Sequence, residues 1–385
     1  MNLSNQKDIR NLIIEGNFNE VVNRYKKIIQ TEPNNYGAHN NLGNALKKLG
    51  KLKEALVSYR QAIKIKPDYT KAHLNLGSVL NDLDKFEEAI PSLLHAIKIE
   101  PDYSEAHHCL AISYKKIENL EKAIVHYKKA DTKESRAQVL QCLYILKKTN
   151  EYNEYLSKLC KDDPKNIKAA SINAFVSNQL NLDNIYPFCK NPLNFIFIKN
   201  LKKELIPLDK FSKNLSEILG KTKLIWEPSS KTTTRGYHTS GNLFEKTDAE
   251  ILILRKIIEK QIIIYKEKYK SQKDYFITKW PLISKIEAWH VKLIKQGYQK
   301  SHIHPAGWLS GVFYLKVPKL LSENEGSIEF TLFGYDYPSD KNLPNLIHTP
   351  NAFDIALFPS SLFHNTIPFS SQEERHVIAF DLIPK

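Results

Sequence analysis

The sequence predicts a two-part α + β protein, with a helical solenoid in its first half and a two-sheet β domain of jelly-roll or cupin-like type in its second. Three observations carry this reading. Prolines recur every 34 residues at Pro33, Pro67 and Pro101, with the text between them repeating in register. From about residue 186 that register is gone and aromatics and turn residues take over. Toward the C-terminus, short runs of β-branched and aromatic residues are bounded by Gly, Pro, Ser or Asn. With 385 residues, 42% of them hydrophobic, the chain is long enough for two domains that each bury a core.

In the first half the repeating positions are Ala38/Ala72/Ala106, Leu42/Leu76/Leu110, Gly43/Gly77/Ala111, Ala55/Ala89/Ala123, Tyr59/Leu93/Tyr127 and Ala62/Ala96/Ala130. Small residues let paired helices approach closely, large apolar ones fill the spaces between them, and each proline ends a unit because it cannot continue a helix. This pattern resembles the tetratricopeptide repeat. Gly16, Val21, Tyr25 and Ile28 mark a divergent first repeat, so the repeats are expected over residues 1–130. Over residues 131–185 the text stays helical but off the beat, as in degenerate capping repeats. The resemblance implies a groove that binds a peptide or protein partner, with Asn41 and Asn75 facing it at the same position of successive repeats. Cys109 breaks that ladder at the next repeat. Two asparagines on a merely polar face is the competing reading, and the sequence leaves both open. His39, His73 and His107 also recur every 34 residues and are read as core or boundary residues rather than metal ligands.

A net charge of +14 raises the question of nucleic acid, but its distribution argues against it. The charge divides into +6 over residues 1–185 and +8 over residues 186–385, is mostly Lys, and is interleaved with acids at helical spacing. The four cysteines (Cys109, Cys142, Cys160, Cys189) form no CxxC pair, so reduced thiols in a cytoplasmic setting are expected. The N-terminal text lacks an apolar core for a signal peptide, and the greasiest stretch, 251–265, is interrupted by Arg255, Lys256, Glu259 and Lys260, so no membrane partner is expected.

Within residues 186–385, apolar residues at 251–254 and at Ile257 and Ile258, interleaved with charges, predict a helix packed on a sheet. Strands are predicted over 284–295, 302–317, 327–333, 352–358, 362–368 and 375–382. On a strand, residues i and i+2 share a face, so His302 and His304 can reach one metal ion, and His364 would complete the site. A close pair plus a distant histidine suits a non-haem iron centre with open positions. Arg375 opens the last strand with Val377, Ala379 and Asp381 on its own face, so its guanidinium can point inward and pair with a carboxylate in two-pronged fashion.

The motif of His302, His304, Pro305, Trp308, Leu309, Ser310, Gly311, Tyr314 and Leu315, followed by Phe358, Pro359, Ser360, His364, Thr366, Pro368 and Phe369 and then by Arg375, Ala379, Phe380 and Asp381, resembles the 2-oxoglutarate- and iron(II)-dependent oxygenases. Within them it is similar to the prolyl-hydroxylase-like branch, often fused to tetratricopeptide repeats, and the resemblance covers about residues 190–385. It implies a double-stranded β-helix, Fe(II) held by His302 and His364, 2-oxoglutarate anchored by Arg375 with a hydrogen bond from Tyr314, and molecular oxygen as co-reactant. One departure stands out: His304 takes the place where the family carries Asp or Glu. A neutral imidazole there leaves the site one unit more positive. His304 is therefore either a third iron ligand or a group behind the ligands. Asp354 could supply a carboxylate if its strand faced the site, and Arg375 could instead pair with Asp381 or Glu374. Trp308 reads as a core aromatic, and His290 and His376 as structural.

The expected activity is oxidative hydroxylation of a peptide or protein delivered by the repeats. The rival is a catalytically inactive repeat scaffold whose jelly roll binds a metal or a sugar. A repeat-fused glycosyltransferase is set aside, because the second half lacks the Gly-rich βα turns of nucleotide-sugar domains.

Overall fold

The computed structural model describes residues 3–228, 232–334, 337–338 and 343–385. Two compact units divide the chain, Met1–Thr149 and Asn150–Lys385.

The first unit is a run of helices: α1 (Leu3–Ile14), α2 (Phe18–Thr31), α3 (Tyr36–Lys48), α4 (Leu52–Ile65), α5 (Thr70–Asp82), α6 (Phe86–Ile99), α7 (Ser104–Lys116), α8 (Leu120–Ala130) and α9 (Lys133–Ile145). The repeating small residues lie at the helix contacts. A Cβ on Gly43 would fall 2.5 Å from the Tyr59 ring, and one on Gly77 would fall 2.4 Å from Leu93. Tyr59, Leu93 and Tyr127 are fully or almost fully buried. The turn within each helix pair needs a left-handed residue, which Gly16 and Gly50 provide at φ of +72° and +74° and which Asp84 and Glu118 provide at 56° and 63°. His39, His73 and His107 each turn Nε2 to the carbonyl of the preceding repeat proline, Pro33, Pro67 or Pro101, at 2.9, 2.7 and 2.8 Å. They stitch the start of one helix to the end of the unit before it, as boundary residues do.

The second unit opens with α10 (Thr149–Asp162) and α11 (Ile167–Leu180), so these helices go with the sheets, while the change from helical to strand text comes later, near residue 185. There follow β1 (Phe197–Asn200), α12 (Leu208–Gly220), β2 (Leu224–Trp226), β3 (Thr233–Thr239), α13 (Ala249–Lys268), α14 (Tyr275–Thr278), β4 (Ser284–Gln299), β5 (Leu309–Lys316), β6 (Ile328–Thr331), β7 (Asn345–His348), β8 (Asp354–Pro359), β9 (Phe363–Thr366) and β10 (Arg375–Pro384). A seven-stranded antiparallel sheet runs β1-β8-β5-β10-β4-β3-β2, and a three-stranded one runs β7-β6-β9. The chain passes from the large sheet (β5) to the small (β6, β7), back (β8), across again (β9) and back (β10), which is the connectivity of a jelly roll. Val291, Leu293, Val312, Ala356, Phe358 and Val377 of the large sheet share one core with Ile328 and Phe330 of the small.

The predicted helix at 251–258 lies in the first half of the longer α13. The strand predicted over 302–317 begins only at Leu309, because Pro305 and Ala306 make a turn after the histidine pair. Strands β1, β2, β3 and β7 lie outside the predicted set: β1, β2 and β7 are three or four residues long without a fully buried row, and β3 has polar and apolar residues out of strict alternation. Helix α12 did carry a signal, Phe211, Leu215 and Leu219 at i, i+4 and i+8, all buried. All four cysteines are free, and among the described residues no helix is long and apolar enough to cross a membrane.

Candidate metal centre

His302 and His364 face each other across an isolated bridge, each backbone N–H donating to the other's carbonyl at 3.1 Å. This adds the His302 segment to the free edge of β9. Two residues on, His304 projects to the same side as His302, while Ile303 between them is buried. The three rings lie with centroids 4.3 to 5.1 Å apart. One nitrogen from each lies within 4.8 Å of the others, a spacing that one ion can bridge.

The Nδ1 atoms decide which nitrogens face that point. His302 Nδ1 is 2.7 Å from the Lys300 carbonyl and His364 Nδ1 is 3.2 Å from the Leu362 carbonyl. His304 Nδ1 lies 2.7 and 2.8 Å from the two carboxylate oxygens of Asp381. A carbonyl or carboxylate only accepts, so each Nδ1 donates, and in the neutral ring Nε2 carries the lone pair. His304 Nε2 is buried with no hydrogen-bond partner among the described residues. Burial, reinforced by His302 and His304, holds His364 well below the ordinary histidine value, in the neutral form that can bind a metal.

Arg375 sits at the start of β10 on the row that includes Val377, Ala379 and Asp381. It is 1% exposed, and its Nε and Nη1 have no hydrogen-bond partner among the described residues. Its guanidinium carbon lies 5.1 Å from the centroid of the Tyr314 ring. The Tyr314 hydroxyl is also buried, beside the Arg375 guanidinium, and burial, countered in part by Arg375, pushes it up to about 12. Arg375 and the three histidines line one cavity together with Trp289, Val312, Ile328, Phe358 and Ala379. Unsatisfied donors on a buried cation at one end and histidine nitrogens at the other fit a metal bound beside a carboxylate-bearing small molecule.

The alternatives left open by the sequence resolve differently. Asp354 bonds Asn200, His348 and the Asn351 backbone, away from the three histidines. Arg375 pairs with neither Asp381, which holds His304, nor Glu374, which holds Lys292 and His376. Trp308 is a core aromatic, donating Nε1–H to the Phe276 carbonyl. His290 and His376 stack on each other, with ring nitrogens 3.2 Å apart. In the repeats, Asn75 donates to Asn40 at 2.8 Å and Asn40 to Asn41 at 3.4 Å. Asn40 joins that ladder without being one of the repeat positions, its one signal being its place next to Asn41. At the histidine site Trp289 stacks with its ring centroid 5.6 Å from that of His304, a contact marked in the sequence only by a large aromatic on a strand.

Residues 287–381 match the family described as "Putative 2OG-Fe(II) oxygenase". Residues 43–84 match a "TPR repeat" family, and 25–57 and 70–103 match two families described as "Tetratricopeptide repeat". The chain therefore joins tetratricopeptide repeats to a domain that matches the 2-oxoglutarate–Fe(II) oxygenases. No curated protein matches it. Similar solved structures include MamA from Desulfovibrio magneticus RS-1 (21% identity, 40% of this chain and 90% of that one, TM-score 0.38). Others are YrrB, described as a TPR protein with an unusual peptide-binding site (17%, 43% and 89%, 0.38), and PilF of Pseudomonas aeruginosa (16%, 46% and 83%, 0.40).

Proposed function

We propose that the second unit is an iron(II)- and 2-oxoglutarate-dependent oxygenase that hydroxylates a peptide or protein, with His302, His304 and His364 as the iron ligands. Arg375 anchors the distal carboxylate of 2-oxoglutarate and Tyr314 donates a hydrogen bond to it. The observation that carries this is Arg375 itself: a guanidinium buried to 1% exposure, with two nitrogens unpartnered among the described residues, lining the same cavity as the three histidines. A buried cation without an anion is costly, and a bound carboxylate removes that cost.

When bound, iron(II) with 2-oxoglutarate supplies an oxygen-dependent oxidation coupled to decarboxylation to succinate. The chain's own residues orient the parts. Backbone carbonyls and Asp381 hold the three Nδ1–H groups, so the imidazoles are aimed before the metal arrives. The planar fork of Arg375 fixes the direction of the cosubstrate, and the ring of Tyr314 beneath it keeps the fork in place. Val312, Ile328, Phe358 and Ala379 make the intervening wall apolar, which keeps water from the oxidising centre. The repeats would deliver the substrate, with Asn41 and Asn75 as amide contacts for its backbone.

The test is anaerobic titration of the full chain with iron(II) and 2-oxoglutarate, followed by the visible charge-transfer band of the chelate. A band is expected that is lost in Arg375→Ala, since truncating one side of a buried charge pair costs about 2–5 kcal/mol, or roughly 30-fold or more in affinity. Metal binding without a band in the unaltered protein would favour the inactive scaffold.

A further inference from the structure

The metal site lacks a carboxylate among its three candidate ligands, yet a buried carboxylate lies one imidazole away. Asp381, 7% exposed, takes the Nδ1–H of His304 on both oxygens at 2.7 and 2.8 Å. Its Oδ1 also accepts from the fully buried Ser310 hydroxyl at 2.7 Å, and Ser310 lies 2.8 Å from the Ser360 hydroxyl. The same Ser360 accepts the His304 backbone N–H on its carbonyl at 3.1 Å, so one small network grips His304 at both ring and backbone. Gly307 makes room for it: a Cβ there would fall 2.5 Å from Ser360 Oγ and 3.3 Å from Asp381 Cγ. The orphaned, buried Nε2 of His304 is what this network aims.

We propose that Asp381 is a positioning residue of the metal site, a carboxylate that serves the ion through His304 instead of ligating it. This rests on the three-histidine reading above. Three neutral imidazoles leave a divalent ion its full charge, whereas a carboxylate ligand cancels one unit. A carboxylate behind an imidazole fixes its tautomer, raises its basicity and returns part of that charge, at a typical value of 10–100-fold in metal affinity. Asp381 thus replaces a direct anionic ligand with one relayed across His304.

The experiment uses the full-length protein under anaerobic conditions, with calorimetric titration of iron(II) and the visible bands of cobalt(II) as readouts. Unaltered protein should bind one ion, and His364→Ala should not; absence of binding in the unaltered protein overturns the three-histidine reading and this proposal with it. Asp381→Asn should weaken binding about 10–100-fold and shift the cobalt bands. A purely structural role would lower melting of the metal-free protein and leave the cobalt bands unmoved. Should Asp381→Asn fail to fold, Ser310→Ala removes one bond to the carboxylate and should weaken binding in the same direction by about fivefold. Full affinity and unchanged bands in Asp381→Asn or Ser310→Ala, beside a metal-binding parent, overturn the proposal and leave the three ligands standing.

Discussion

His290 shows how a single side chain in this protein can report on pH. It is 1% exposed beside His376, and burial, then the neighbouring His376 and Lys292, bring it down to about 3. Unfolded, it titrates near 6.5, so between those values the unfolded chain holds the extra proton. Stability from this residue is complete above about 6.5 and is lost as pH falls toward 3. One group contributes a slope of at most about 1.4 kcal/mol per pH unit. Urea denaturation at pH 7 and pH 5 should therefore show a larger loss for the parent than for His290→Gln; equal losses would place the proton elsewhere. Arg375 makes the other prediction at this scale. Arg375→Lys keeps the charge but not the planar fork, so 2-oxoglutarate binding should weaken by at least tenfold while iron(II) affinity, measured separately by calorimetry, stays within about twofold.

At the level of elements, the solenoid is controlled by two kinds of position. Where helices touch, there is no space for a side chain: Gly77→Val would drive its Cβ into Leu93 and should cost about 1–3 kcal/mol in denaturant melts. Where the chain turns between paired helices, the left-handed conformation matters instead. Glu118 holds φ of 63° at the position that Gly16 and Gly50 occupy in earlier repeats. Glu118→Gly should stabilise the protein by about 1 kcal/mol, read as a rise in the urea midpoint, since only glycine adopts that geometry without strain. In the β unit the corresponding device is Gly311, where a Cβ would lie 2.3 Å from Phe380 and 2.8 Å from Leu357, so the strand is kept bare to let a neighbouring ring lie across it.

For the whole molecule, two compact units imply two separable responses. Iron(II) with 2-oxoglutarate at about 100 times the dissociation constant should add roughly 2.7 kcal/mol to the unit that binds them. In calorimetric melts this should raise one transition and leave the other in place, whereas Gly77→Val should lower only the transition that the ligands do not move. Ligands that raised both together would show the units unfolding as one. The repeat is legible in the chain directly, because helix pairing every 34 residues is a local pattern written in small residues and prolines. Also legible is which residue types could hold a metal, because alternation along an extended segment puts His302 and His304 on one side. The remaining contacts come from folding across distant segments. Asp381 meets His304 across 77 residues of chain, Arg375 is left without an anion although Glu374 and Asp381 are near in sequence, and Trp289 stacks on the site from a different strand. Alternation says which face of a strand a side chain takes, but only the register of ten strands and the closure of one sheet over the other says what it meets there.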